Sequence, residues 1–153
     1  MAQIREIIKL GDPLLRQKAM PVRRFGSHLN KLLDDMAATM YAERGCGLAA
    51  PQIGVSKCLV VIDDGQGLIE LVNPVIVKAK GSVSNVEYCL SVPEIGGEVR
   101  RAERIIVEAQ DREGQTCVCE VEGFLARIVQ HEIDHLQGRL FVDVMLREVR
   151  DNE

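Results

Sequence analysis

The stretch that most constrains the fold of this chain is Gly123-Phe-Leu-Ala-Arg-Ile-Val-Gln-His-Glu-Ile-Asp-His-Leu-Gln-Gly138. Its apolar residues recur at intervals of three and four, which is typical of an α-helix, and Gly138 is placed to end that helix. These residues occupy more than one face of the helix; they are Phe124, Leu125, Ile128, Val129, Ile133 and Leu136. We therefore expect a helix of about four turns that is buried on most sides.

Two of the three histidines in the chain lie on this predicted helix, in the pattern His131-Glu132-Ile133-Asp134-His135. Residues four apart project from one face of a helix, so both imidazoles can bind one divalent ion while Glu132 lies beside it as a base. Burying two imidazoles without partners is costly, and a metal ion would satisfy both. The pattern predicts a metal-dependent hydrolase; the alternative is that the histidines only pack or cap the helix.

The composition is that of an ordinary globular protein. The chain has 153 residues, of which 46% are hydrophobic and 27% charged, with a formal net charge of −4. This length predicts a single domain over residues 1–153, and the charge gives no reason to expect nucleic acid or an anionic membrane as partner. Charges interrupt the apolar residues at the N-terminus, so neither a secretory signal nor a membrane span is predicted. We expect a cytoplasmic protein that acts on a small molecule or a peptide.

Upstream of the central helix, the sequence predicts helices first and strands afterwards. Asp12-Pro13 opens a short helical turn, and Ser27 is expected to cap an amphipathic helix that ends before Gly45. Short β-branched runs follow at residues 58–62, 69–72, 75–77, 105–107 and 116–121. This order does not alternate as a parallel βαβ fold would. We therefore predict an α+β fold in which antiparallel sheets surround the helix that carries the histidines.

The metal site that this motif predicts is incomplete, because a catalytic site of the zinc type needs three protein ligands. A downstream glutamate of the thermolysin type is not expected, since only a short tail follows His135. The third ligand should therefore come from upstream. The chain has five cysteines without regular spacing, which indicates reduced thiols rather than a disulfide framework. Cys89, Cys117 and Cys119 are candidates, and their spacing alone does not choose between them.

Three segments resemble the signature motifs of the peptide deformylase family, and they occur in the family's order. They are Gly45-Cys-Gly-Leu-Ala-Ala-Pro-Gln52, Glu87-Tyr-Cys-Leu-Ser91 and Gln130-His-Glu-Ile-Asp-His135. The similarity covers nearly the whole chain. It implies a fold of short antiparallel sheets wrapped around a central helix. It also implies an enzyme that removes the N-formyl group from the formylmethionine of newly synthesised proteins and releases formate.

Carried over residue by residue, the resemblance implies that Cys89, His131 and His135 are the ligands of one divalent metal ion. For this family the ion in cells is expected to be ferrous iron, with zinc, nickel and cobalt as alternatives. The affinity order of divalent metals does not by itself identify the ion. A thiolate ligand would make the site sensitive to oxidation.

The resemblance also assigns the groups that act on the formyl group. Glu132 would transfer protons, while the side-chain amide of Gln52 and the backbone N–H of Leu90 would stabilise the oxyanion. Glu87 and Arg101 would pair and hold the cysteine segment in position. As an isolated surface ion pair, Glu87 and Arg101 would contribute little to stability.

The substrate implied by the resemblance is an N-formylmethionyl nascent peptide, with transient contact to the ribosome. The peptide would bind beside Cys46 and Gly47, and the methionine side chain would lie against Phe124, Ile128 and the ring of His131. From residue type alone, Gly47 could equally form a simple turn, and the two apolar helix residues could equally belong to the core.

The chain departs from the family's pattern at Tyr88, where the second motif normally has glycine. A positive φ would strain a tyrosine, whereas an extended backbone accepts it. We expect the extended conformation, with the Tyr88 side chain beside the substrate groove. There it could narrow the groove, contact the peptide or reduce activity.

Two other classes of protein share part of the pattern. A metallopeptidase would use the same metal and base, but it would be expected to have a third glutamate ligand. A non-catalytic metal-binding protein would usually close its site with four cysteine or histidine ligands and would not need an adjacent base. The sequence favours the deformylase over both.

Overall fold

The computed structural model describes residues 2–150, and this part of the chain contains two α-helices and eight β-strands. Helix α1 spans Ser27–Ala42 and helix α2 spans Gly123–Leu136. The strands are β1 (Gly47–Ala49), β2 (Leu59–Asp63), β3 (Leu68–Lys80), β4 (Val83–Cys89), β5 (Val92–Arg101), β6 (Arg104–Gln110), β7 (Thr116–Glu122) and β8 (Arg147–Val149). Short 3-10 turns occur at Pro13–Arg16, Ala50–Ile53 and Phe141–Asp143. None of the described helices has the length and apolar character needed to cross a membrane.

The strands form two sheets in which all the named strands pair antiparallel, as the sequence predicts for an α+β fold. The larger sheet has the order β1-β2-β3-β6-β7, and the smaller sheet has the order β4-β5-β8. Strands β1 and β4 therefore each lie at the edge of a sheet with one side unpaired. Both of these edge strands contribute to the site described below.

The two helices pack on opposite faces of the larger sheet at β2. Successive side chains of a strand point to opposite faces. Leu59 and Val61 belong to the cluster that contains the buried residues of α1, whereas Val60 and Ile62 belong to the cluster that contains those of α2. Helix α2 is thus buried on most of its surface, as its apolar pattern predicts. A third apolar cluster, which includes Val99 and Phe141, lies against the smaller sheet.

Two local signals in the sequence agree with the structure, and the predicted cap of α1 does not. The side chain of Asp12 accepts a hydrogen bond from Leu14 N (3.0 Å) and caps the first 3-10 turn. Gly138 has a φ of 77° just after α2, as expected for a residue that ends a helix. The prediction that Ser27 caps α1 was wrong, because the N-cap residue is Gly26 and the cap makes no side-chain hydrogen bond.

The runs at residues 69–72 and 75–77 form one continuous strand, β3, rather than two. Asn73 joins them with a φ of 53°, a conformation that asparagine tolerates better than most residues. Its side chain accepts from Val22 N (2.8 Å) and donates to Val22 O (2.9 Å) and Gln110 Oε1 (2.8 Å). These tertiary hydrogen bonds, which local sequence does not reveal, stabilise the irregularity inside the strand.

Candidate metal centre

Three potential metal ligands meet where the end of β4 approaches the middle of α2. The ligand atoms of Cys89, His131 and His135 all lie within 4.8 Å of one another, and all three residues are buried. Within residues 2–150 this is the one cluster of three such side chains with that spacing. Cys117 and Cys119, the other candidates for the third ligand, are exposed on β7 and are not part of it. Of the three candidate cysteines, Cys89 is the one that lies beside the two histidines.

The donor set fits a single divalent ion. Ligand atoms around one tetrahedral ion of the zinc type lie about 3.5 Å apart, and Sγ of Cys89 lies 3.3 Å from Nε2 of His135. Nδ1 of His131 lies 2.8 Å from Oε1 of Glu87. Because a carboxylate only accepts, that nitrogen carries the proton and leaves Nε2 of His131 free to bind a metal.

Glu87 is the residue that orients His131. It lies on β4 two residues before Cys89 and is 5% exposed. Nε and Nη2 of Arg101 donate to its two oxygens at 2.9 Å each. Burial alone would raise the pKa of this carboxyl, but hydrogen bonds from His131 and Arg101 outweigh burial and lower the pKa to about 2. The predicted pairing of Glu87 with Arg101 is present, and it is buried rather than at the surface.

Two further charged residues, which the sequence analysis did not single out, connect α2 to the smaller sheet. Nη1 of Arg127 donates to Oε2 of Glu87 (2.5 Å) and to Val99 O (3.0 Å), and its Nη2 donates to Val83 O (2.7 Å). Asp134 accepts from Nη1 of Arg101 at 2.6 Å. A charged residue inside an apolar helical stretch was the signal that could have identified Arg127, since buried arginines are almost always paired.

Glu132 lies on α2 directly after His131 and packs against Gly47 of β1. It is 4% exposed, and its Oε1 is buried without a hydrogen-bond partner. A Cβ atom at Gly47 would lie 2.6 Å from Oε2 of Glu132 and 2.9 Å from Cγ2 of Ile128. Any side chain at residue 47 would therefore displace the carboxylate. Burial raises the pKa of Glu132 to about 7, which suits a group that accepts and returns a proton near neutral pH.

Gln52 directs its amide group towards Cys89. It lies in the 3-10 turn after β1 and is 1% exposed. Oε1 of Gln52 accepts from Ala49 N (2.9 Å), so its NH2 group faces the other way. That group donates to Ser91 Oγ at 3.1 Å and to Cys89 Sγ at 3.6 Å. The side chain is thus held as a hydrogen-bond donor beside the thiol of Cys89.

A cavity of about 460 Å³ opens next to this cluster. This volume is typical of a small-molecule or peptide-terminus site. Its lining contains the residues that the sequence analysis assigned to chemistry and substrate binding: Cys46, Gly47, Gln52, Leu90, Phe124, Ile128, His131 and Glu132. Phe124 is 58% exposed and is not a core residue, whereas Ile128 is buried and also lines the cavity.

An open cavity beside two helical histidines, one thiol and a buried carboxylate is the arrangement of a metal-dependent hydrolase. The family model described as polypeptide deformylase matches residues 4–151, and the chain belongs to this family. It is therefore an enzyme that removes the N-formyl group from the N-terminal formylmethionine of newly synthesised proteins. Deformylases depend on a metal ion, and the cluster of Cys89, His131 and His135 is consistent with that dependence.

Relatives in sequence and structure agree with this assignment. The chain is 54% identical to the peptide deformylase of Heliobacterium modesticaldum over 138 residues, which are 90% of this chain and 91% of the relative. A crystal structure of peptide deformylase from Thermotoga maritima superposes with a TM-score of 0.93 at 41% identity, covering 95% of this chain and 99% of the other. The deformylase structure from Legionella pneumophila has a TM-score of 0.90 at 49% identity, covering 94% and 86%.

Proposed function

We propose that Cys89, His131 and His135 bind the metal ion of this deformylase and that Glu132 is its general base. The observation that carries the proposal is the proximity of one thiol and two imidazoles, within 4.8 Å of one another, on two elements beside an open cavity. When bound, a divalent ion supplies Lewis-acid polarisation of the formyl oxygen and lowers the pKa of a water molecule.

Glu132 handles the proton of the hydrolysis. Its carboxylate accepts a proton from the attacking water, and the same proton is then delivered to the departing amine nitrogen, so that formate and a free N-terminus are the products. The buried Oε1 without a partner is available for this transfer. Gly47 supports the position of Glu132, because the absence of a Cβ atom there leaves room for the carboxylate.

Gln52 and Leu90 stabilise the negative charge that develops on the formyl oxygen. The NH2 group of Gln52 is oriented by the bond from Ala49 N to its Oε1, so no reorientation is needed during the reaction. The backbone N–H of Leu90 is the second donor in this proposal, and Leu90 lines the same cavity. Leu90 follows Cys89 in the sequence, and the NH2 group of Gln52 donates to Cys89 Sγ. This proximity to Cys89 favours a position of both donors close to the reacting formyl group.

The substrate occupies the cavity with its methionine side chain against α2. Ile128, Phe124 and the ring of His131 supply an apolar surface there, and Cys46 and Gly47 lie along the peptide. Glu87 and Arg101 act as supporting residues, since they hold the ring of His131 and the β4 segment in position.

We propose ferrous iron as the ion in cells, with zinc, nickel and cobalt as alternative ions that the same ligands accept. One thiolate with two imidazoles is a donor set that suits all four metals. Metal analysis of protein purified anaerobically from its native cells tests this, and zinc as the main metal would contradict it.

The enzyme is expected in the cytoplasm, in transient contact with ribosomes. Co-sedimentation with ribosomes that carry formylated nascent chains would test that contact.

The decisive assay for the proposed site is formate release from formyl-Met-Ala-Ser by anaerobically purified, iron-loaded protein. Cys89→Ser should lose most of the bound metal and the activity with it, since a neutral hydroxyl is a poor replacement for a thiolate. Cys119→Ser is the matched control, because Cys119 is exposed on β7, and it should retain both. No formate from fully metal-loaded wild-type protein would refute the proposal.

A further inference from the structure

Two aromatic side chains stand exposed at the substrate cavity. Tyr88 on β4 is 60% exposed and Phe124 at the start of α2 is 58% exposed, and both line the cavity. The chain contains no tryptophan and only three phenylalanines and two tyrosines, so these rings are a substantial share of its aromatic residues. Phe124 belongs to the methionine pocket proposed above, whereas Tyr88 has no role in the site so far described.

The ring of Tyr88 packs over Gly96, where the absence of a side chain leaves room for it. Glu87 on β4 pairs with Gly97 on β5, and the register then shifts between Glu87 and Cys89, so Tyr88 lies in an irregular part of the ladder. A Cβ atom at Gly96 would lie 2.6 Å from Cε1 of Tyr88 and 3.0 Å from its Cδ1 and Cζ. The ring therefore covers the space that a side chain at residue 96 would fill, as aromatic residues do when they pack over a cross-strand glycine.

Residue 96 must be glycine because the ring of Tyr88 occupies the space of a side chain, and not because of the backbone conformation. Gly96 is not among the glycines with a positive φ, so other residues could adopt its conformation without strain. Tyr88 itself lies in an extended strand and is not among the residues with a positive φ, which confirms the extended conformation predicted for it. Tyr88 and Gly96 thus form a complementary pair whose result is an oriented ring at the cavity.

An oriented but exposed ring is suited to contact a ligand. Because contact with Gly96 restricts the ring on one side, less conformational entropy is lost when an apolar group packs against it than for a fully free side chain. Tyr88 lies next to the ligand Cys89 but on the opposite side of the strand, since Glu87 and Cys89 point into the protein and Tyr88 does not. It is therefore available to parts of the peptide beyond the reacting formyl group.

We propose that Tyr88 is a specificity-determining residue, and that its ring, positioned by Gly96, contacts an apolar side chain in the first residues that follow the formylmethionine. This inference rests on the deformylase site proposed above. An extended peptide advances about 3.4 Å per residue, so these residues pass the neighbourhood of Tyr88 when the formyl group is at Cys89. Peptides with leucine after the methionine should be preferred to those with glycine.

The test compares kcat/KM for formyl-Met-Leu-Ser with formyl-Met-Gly-Ser, and for formyl-Met-Ala-Leu with formyl-Met-Ala-Gly. Wild type should prefer the leucine peptide of at least one pair by roughly 3- to 10-fold, a typical effect of a contact with an aromatic ring. Tyr88→Ala should bring that ratio close to one, whereas Tyr88→Phe, which keeps the ring, should retain it. Tyr41→Ala, a change of the other tyrosine away from the cavity, should leave the ratio as in wild type.

Gly96→Ala provides a separate test, because it displaces the ring without altering Tyr88. The ratio of kcat/KM for the leucine peptide to that for the glycine peptide should fall in this variant as well. The double variant Gly96→Ala/Tyr88→Ala should have the same ratio as Tyr88→Ala, since both changes act on one contact. Additive effects of the two substitutions would contradict the proposed pair.

A binding measurement avoids dependence on activity. In Tyr41→Phe, Tyr88 is the one remaining tyrosine of a chain without tryptophan, so its fluorescence reports on its surroundings. Saturating Met-Leu-Ser should change this emission more than Met-Gly-Ser does. Equal responses, or a leucine preference that survives Tyr88→Ala in an active enzyme, would overturn the inference about Tyr88. Absence of formate from every peptide would instead count against the proposed catalytic site.

Discussion

Nε2 of His135 lies 3.3 Å from Sγ of Cys89, although 46 residues separate the two in the chain. The cysteine ends a strand of the smaller sheet, and the histidine lies on a helix that packs mainly against the larger sheet. The geometry of the metal centre therefore depends on the contact between α2 and the smaller sheet. Glu87 bonds to Arg127 and His131 of the helix, and Arg101 bonds to Asp134 of the helix, through charge-assisted hydrogen bonds that form this contact.

Glu132→Gln should abolish most of the activity without loss of metal. The amide has the same shape as the carboxylate but cannot accept the proton, and loss of a general base typically lowers the rate by ~10²- to 10⁴-fold. Formate release and metal content measured on the same preparation check this. Glu122→Gln, at an exposed glutamate just before α2, should behave like wild type. A Glu132→Gln enzyme with near-normal turnover would rule out the base role.

Gln52→Glu separates the two roles of this side chain. Glutamate keeps an oxygen that can accept from Ala49 N but loses the NH2 donor, so turnover should fall by ~10²- to 10³-fold while metal content remains. Gln52→Ala should lose activity and also about 1–3 kcal/mol of stability, because the N–H of buried Ala49 is left without a partner. Kinetics and urea unfolding distinguish these outcomes. Full activity in Gln52→Glu would refute the donor role.

Glu87→Gln should weaken both the fold and the metal site. Removing one charge leaves Arg101 and Arg127 buried beside a neutral group, which typically costs about 3–5 kcal/mol. The ring of His131 also loses its charged acceptor, and such changes lower metal affinity by roughly 10- to 100-fold. Urea unfolding and competition with a chelator measure the two effects.

Glu98→Gln is the matched control for this change. Glu98 lies on the neighbouring strand β5 and pairs with Arg147 at the surface, at 3.3 Å. Exposed pairs contribute little, so stability should change by less than about 0.5 kcal/mol and metal affinity should not change. Equal effects at the two glutamates would show that burial of the Glu87 contacts is unimportant.

Asp35 should contribute stability that is lost in acid. Its side chain on α1 has no exposed surface, and it accepts from Gln3 N (2.8 Å) and from Nη2 of Arg5 (2.8 Å). The hydrogen bond from the backbone of Gln3, together with the hydrogen bond and charge of Arg5, lowers the pKa of Asp35 below 3.8, although burial opposes this shift. A lowered pKa means that this stability is present above pH 3.8 and disappears as the pH falls through the pKa of the folded state.

Asp35→Asn should therefore be less stable than wild type at pH 7 by about 1–3 kcal/mol, with a smaller difference near pH 3. Urea unfolding at both pH values provides the comparison. Asp34→Asn, at the preceding and more exposed residue, should have little effect at either pH. A difference between Asp35→Asn and wild type that does not change with pH would contradict the assignment.

Much of the catalytic helix was predictable because its signals are local. The apolar periodicity, the His131-Glu132-x-x-His135 spacing and the terminal Gly138 all lie within sixteen residues, and the structure has a helix over Gly123–Leu136. Strands β4 and β5 were not predicted, since their sequences mix polar residues and glycines with few β-branched runs. Their stability comes from pairing with each other and from the contacts of Glu87 and Arg127, which are not local properties.

The sequence by itself determined the family, the histidine pair and the glutamate between them, because helical spacing brings residues four apart onto one face whatever surrounds them. Only the tertiary structure decided that Arg127 joins the helix to the smaller sheet and that the ring of Tyr88 lies over Gly96. It also brings Cys89, which the family motif implies as a ligand, beside the two histidines and leaves the cysteines of β7 exposed. Such contacts depend on how two sheets pack around one helix, and that packing results from burial and hydrogen bonding across the whole chain.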